Sequence, residues 1–227
     1  MAKKKIQPTR TKLEEFNDQL SGVEQKFEKN RKKIYTIIGC VIAVALGIWA
    51  YMAFIAGPNE EKAQEAIGKA DILNMQQQDS LALLEYEKVI KKFGGDQANR
   101  AELEVAVLLV KKGDYDKAIK HLEKFDPKGD VIGPLSQSLL GDCYASLAKP
   151  NLDKAFKAYD KAVSMSNDNE NLTPYFMKKK ASVLRAQGKY ADEAKVYKEI
   201  KEKFMSYAMQ NGIDKNIERA EAQAAGK

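Results

Sequence analysis

One histidine, two cysteines and one tryptophan are all that this 227-residue chain holds of those types. A lone histidine without any Cys-x-x-Cys pair leaves no ligand set for a metal. His121 sits among lysines and glutamates and reads as a solvated or interhelical side chain, so replacing it by alanine should change little. Two cysteines are too few for a disulfide framework. Cys40 falls in an apolar run and reads as a membrane-buried thiol; Cys143 falls in a helical stretch and reads as a small core hydrophobe. The Gly94-Gly95 pair lies in a connection, not in the strand–loop–helix cradle that holds phosphate. Carboxylates alternate with lysines, as in Glu85, Glu87, Lys88 and Lys91, which is how a solvated helix face looks. No catalytic, cofactor-binding or metal-binding set emerges, and a non-enzymatic protein without a cofactor is expected.

What the chain does have is one long apolar run. Residues 34–56 contain no charge, and Thr36 is the single strongly polar side chain among them. At 1.5 Å per residue such a run spans about 34 Å, against a hydrocarbon core of about 30 Å. Ten Lys/Arg and five acids precede it within residues 1–33, whereas Glu60, Glu61, Glu65 and Asp71 outnumber Lys62 and Lys69 just after it. That asymmetry predicts a single-pass anchor with its N-terminus cytoplasmic and residues 57–227 exported. Cleavage is disfavoured by Phe54 at the −3 place before a cut after Ala56. The lipobox-like Ile37-Ile38-Gly39-Cys40 fails because most of the run follows the cysteine. Gly39, Ala43 and Gly47 share one helix face and form a small-residue strip that permits close lateral packing.

In the basic tail, residues 1–33, Leu13, Phe16, Leu20, Val23 and Phe27 recur at three- and four-residue steps. This is an amphipathic cytoplasmic helix, lying on lipid or binding a partner or a second copy; both readings stay open. Residues 1–10 read as disordered. Beyond residue 56 the chain carries 28 Lys/Arg against 27 acids, so the basic balance belongs to the tail and no nucleic-acid partner is implied.

Helical spacing fills the remainder, and a repeat explains it. Gly113-Asp-Tyr115-Asp-Lys-Ala118-Ile-x-x-Leu122 returns as Pro150-Asn-Leu152-Asp-Lys-Ala155-Phe-x-x-Tyr159 and as Gly188-Lys-Tyr190-Ala-Asp-Glu193-Ala194-x-x-Tyr197. A fainter first copy keeps Asp79, Ala82, Tyr86 and Val89 but lacks the glycine. These residues resemble tetratricopeptide repeats. The resemblance implies an all-α solenoid: four helical hairpins, roughly 60–93, 97–125, 134–166 and 173–206, closed by a capping helix near Ile213–Ala225. Small residues (Ala106, Ala118, Gly141, Ala155, Ala181) would let the helices of a hairpin close up, and Pro134 and Pro174 would open first helices. It also places the first helix of each hairpin along a concave groove, with Arg100, Ser138, Asp142, Tyr175, Lys178, Ser182 and Arg185 as groove candidates. They line either a peptide-binding groove or an ordinary solvated surface.

A lysine-rich tail, one apolar helix and a repeat array ending in Ile213-Asp-Lys-Asn-Ile217-Glu-Arg-Ala together resemble YfgM-type ancillary subunits of the Sec translocon in Gram-negative envelopes. That resemblance implies protein partners: translocon subunits, periplasmic chaperones or nascent polypeptides. Two other layouts remain compatible with the residues, a cytosol-facing repeat receptor and a scaffold for cell-division or envelope-assembly machinery.

Overall fold

The computed structural model describes the backbone of residues 12–226 and the side chains from residue 30 onward, except 55 and 58. The expectation for residues 1–10, and the side chains of Leu13, Phe16, Leu20, Val23 and Phe27, lie outside these. Every regular element among the described residues is helical. The chain divides into two compact units, Met1–Asn59 and Glu60–Lys227.

The first unit holds α1 (Lys12–Tyr51) and a π-helical turn (Met52–Ala56), after which α2 (Gly57–Met75) begins. Its apolar window has a mean hydropathy of 2.3, and none of that window is buried. Among the described residues it is the one helix long and apolar enough to cross a membrane. Ile37, Val41, Val44, Ile48 and Trp49 all stand exposed. Thr36 satisfies its hydroxyl by donating to the carbonyl of Lys32 at 2.8 Å, which lets a polar residue sit in the run without an orphaned group.

In the second unit helices pair in chain order: α2 with α3 (Asp79–Lys92), α4 (Gly95–Lys111) with α5 (Tyr115–Leu122), α6 (Ile132–Ser146) with α7 (Leu152–Met165), and α8 (Leu172–Ala186) with α9 (Tyr190–Lys203). The second helix of each pair packs on the first helix of the next, and the buried apolar residues form two clusters, one from Ile67 to Tyr159 with Val183 and one from Met177 to Ile217. The hairpin turns explain why these sequences fold back. Gly113 and Gly188 take φ of 78° and 72°, the left-handed conformation that ends a helix. Gln77 takes φ 60° at the same place in the first hairpin, which is how that copy dispenses with glycine. One residue later, Asp114 and Asn151 accept hydrogen bonds from the backbone N–H of Lys117 and Lys154 and cap α5 and α7.

Close approach of the helices follows from the small side chains. Ala82, Ala118 and Ala155 are wholly buried. A Cβ on Gly141 would lie 2.6 Å from Cε1 of Tyr159, so only glycine lets that ring lie across α6. Pro134 and Pro174 stand in the first turns of α6 and α8, where a missing N–H costs nothing. Tyr86, Phe176, Ile67 and Ile200 are the largest fully buried side chains, each contributing about 1.5–3 kcal/mol by removal from water.

The fourth hairpin ends earlier than the sequence implies. Phe204, 3% exposed, adopts φ −127° and ψ 58°, leaving the helix so that its ring can enter the core. A short helix, α10 (Met205–Gln210), follows, and α11 (Ile213–Ala225) then packs on α9 with Ile213, Ile217 and Ala220 buried. The second hairpin closes early too: α5 has only 8 residues. The Asn99 side chain grips the backbone of Asp126 in both directions, at 2.7 and 3.1 Å, holding the connection that precedes Pro127.

Candidate partner-binding site

The first helices of the third and fourth hairpins, α6 and α8, are tied together by a polar relay. Asp142 on α6 accepts a hydrogen bond from the Tyr159 hydroxyl at 2.7 Å and from the Lys179 ammonium at 2.7 Å. Burial pushes the Tyr159 phenol well above its ordinary range, and donation to Asp142 adds to the effect, so it stays protonated as the donor. The same device links the first two hairpins. Asp71 on α2 accepts from the Tyr86 hydroxyl at 2.6 Å and from Arg100 on α4 at 2.7 Å. Glu104 on α4 is raised above the ordinary carboxylate range by burial, with Asp71 adding and Arg100 opposing.

Beside the Asp142 relay opens a recess of about 490 Å³. Its walls include Ala145, Leu152, Ser182, Val183 and Ala186, with Asp142 and Lys179 at its polar side. Small and apolar walls with one fixed polar edge suit a side chain of a bound polypeptide. On α8, Tyr175 is 41% exposed and Arg185 is exposed. The Lys179 ammonium stands 5.1 Å from the Tyr175 ring, within cation–π range. Cys143, wholly buried next to this relay, has its thiol pushed up to about 12 by burial, with the charge of Asp142 adding; it is an inert core residue.

The groove candidates therefore divide. Asp142 and Ser182 meet in one recess. Tyr175, Lys178 and Arg185 share α8, where the Lys178 ammonium reaches Asn211 at 3.5 Å and Ser182 donates to the Lys178 carbonyl at 3.0 Å. Arg100 is held by Asp71 at the other end of the array. Ser138 is corrected: at 3% exposure it is buried between helices and lines no groove, because the tight packing around α6 takes up its face. Lys179 was missed, being one lysine in a run of three. The signal was an aspartate directly after the small residue of the first helix, in Ala70-Asp71 and Gly141-Asp142, with a tyrosine on the following helix. Val107 and Leu135 are 43% and 39% exposed on α4 and α6. In the first unit Gly39, Ala43 and Gly47 are exposed, and a Cβ added to either glycine would meet no atom within 4 Å.

Among the described residues no three His, Cys, Asp or Glu side chains gather as metal ligands do. His121 proves to be interhelical: its Nδ1 donates to Glu102 on α4, whose carboxylate is otherwise met, among the described residues, by Lys124 at 4.0 Å. The expected indifference to His121→Ala is reversed on that ground. We expect a loss of about 1–2 kcal/mol in urea unfolding, with His121→Gln recovering part of it by restoring a donor to buried Glu102. Equal stability of the alanine variant and the parent would contradict the bond.

No protein-family model matches the chain, and no curated protein does. Solved structures do. The putative kinesin light chain with nearly identical TPR-like repeats from Podosopora anserina superposes with a TM-score of 0.50 at 13% identity, covering 73% of this chain and 96% of that one. A variant of it gives 0.50, 13%, 73% and 95%. The likeness shows a fold of tetratricopeptide-like helical repeats.

Proposed function

We propose that this chain is a non-enzymatic adaptor, anchored in the inner membrane by residues 34–56, with its N-terminus cytoplasmic and residues 57–227 in the periplasm. Its groove beside α8 holds a partner polypeptide, a chaperone or an emerging chain, close to the Sec translocon. The observation that carries this is the open recess beside Asp142 and Lys179, with the Tyr175 ring against Lys179. The unburied apolar helix supports the anchor, and the excess of lysine and arginine before it supports the orientation. The Gly39, Ala43 and Gly47 strip would pack on a neighbouring membrane helix, and Gly47→Leu would weaken that contact without touching the solenoid.

Two measurements test the reading. A cysteine placed at position 168 should react with an impermeant thiol reagent once the outer membrane is opened, and one placed at position 8 should not; the reverse result means a cytosol-facing receptor. A photocrosslinker at position 182 should trap chaperones or translocating chains, and Arg185→Glu should cut those adducts about tenfold by reversing a rim charge. Adducts consisting of division or outer-membrane assembly proteins would overturn the translocon assignment.

A further inference from the structure

A second recess, of about 330 Å³, lies between α2 and α3, away from the groove helices. Its floor is apolar: Ala66, Val89 and Phe93. Four lysines surround that floor, Lys62 and Lys69 from α2 and Lys88 and Lys92 from α3, against two acids, Glu65 and Glu85. Glu85 is already engaged, with Lys88 at 2.7 Å and Lys69 at 3.9 Å, and the hydrogen bond from Lys88 holds its carboxyl below the ordinary range. The Lys92 ammonium stands over the Phe93 ring at 5.3 Å, and no ion pair to Lys62 or Lys92 occurs among the described residues. The recess thus offers an uncompensated charge of two beside an apolar floor.

Covalent geometry limits where it can be. Lys62 is six residues beyond Ala56, so its Cα lies within about 22 Å of the end of the apolar run whatever path the chain takes. The acids preceding it do not cancel its charge in the recess. At 3.6 residues per turn, Glu60 and Glu61 project about 160° and 100° around α2 from Lys62. A free anion would gain nothing from the floor, whereas an amphiphile would use floor and cations together.

We infer that this recess binds the phosphate of an anionic phospholipid headgroup, with the glycerol end on Ala66, Val89 and Phe93, so that the first hairpin is pinned to the leaflet it emerges from. The inference rests on the membrane-anchored reading above.

The full-length protein in nanodiscs of neutral phosphatidylcholine, and in nanodiscs containing phosphatidylglycerol, tests it through lysine acetylation rates read by mass spectrometry. A surface potential of about −30 mV by itself slows any nearby lysine about threefold. A site slows Lys62 and Lys92 by more, about tenfold, while Lys91, the neighbour of Lys92 on α3, and Lys195 on α9 show no more than that threefold effect. In the Lys62→Glu/Lys92→Glu form the lipid dependence at Lys88 should fall to that threefold effect. Equal slowing of Lys91 and Lys92, or equal rates in both bilayers, overturns the site and leaves the anchor standing. Protection by glycerol 3-phosphate in the neutral discs overturns the lipid as its occupant. Failure to enter either bilayer overturns the anchor and this site together.

Discussion

Ala155→Arg is expected to lower the thermal midpoint of the solenoid by about 10 °C or more, on the scale of about 2–4 °C per kcal/mol for a domain of this size. Ala155 has no exposed surface on α7, at the point where α7 meets its neighbours on both sides. A guanidinium there must displace packed side chains and lose its water, and the two together cost about 4 kcal/mol or more. Ala118→Arg, on the short helix α5, should behave alike. Because neighbours in a repeat array support one another, the loss should spread to α6 and α8 as faster amide exchange rather than remain at the mutated turn. An unchanged circular-dichroism melt for both variants would place the helices in another register.

Arg219→Ala is expected to have the second largest effect, and a local one. Glu193 sits 38 residues after Ala155, where the two preceding repeats have alanine, and it is fully buried. It survives there because Arg219 of α11 donates to its Oε1 at 2.8 Å; its second oxygen, Oε2, has no partner among the described residues. Removing Arg219 strands a buried carboxylate, at a cost of about 3–5 kcal/mol. Glu193→Ala should cost less, because Arg219 is 38% exposed and can turn to water. The double change Glu193→Ala/Arg219→Leu should regain most of the lost stability, since it restores the residue that the other repeats use. Amide exchange along α11 is the measurement: if its protection survives Arg219→Ala, the pair does not hold the cap.

This pair also shows how far the sequence could be read. The repeat aligns Glu193 with Ala118 and Ala155, a charged residue at a place where the other copies have a small one. The identity of its partner depended on α11 folding back onto α9, which no local pattern encodes. His121 is a parallel case: its surroundings in sequence are charged and solvated, yet α4 brings Glu102 beneath it. Ser138 failed in the opposite direction, because repeat position predicts a face of α6 but not how closely the neighbouring helices cover it.

The sequence by itself determined the all-helical class, the apolar run of residues 34–56, the hairpin count and the first turns that hold Pro134 and Pro174. Each is a local property: hydropathy over one segment, small residues at fixed intervals, a proline that fits only a first turn. Only the tertiary structure decided which polar groups meet. The Asp71–Tyr86–Arg100 and Asp142–Tyr159–Lys179 relays join three helices each, and the recesses beside α3 and α8 are spaces left between helices. Contacts of that kind depend on the distances and angles at which helices cross, which side-chain packing sets across elements far apart in the chain.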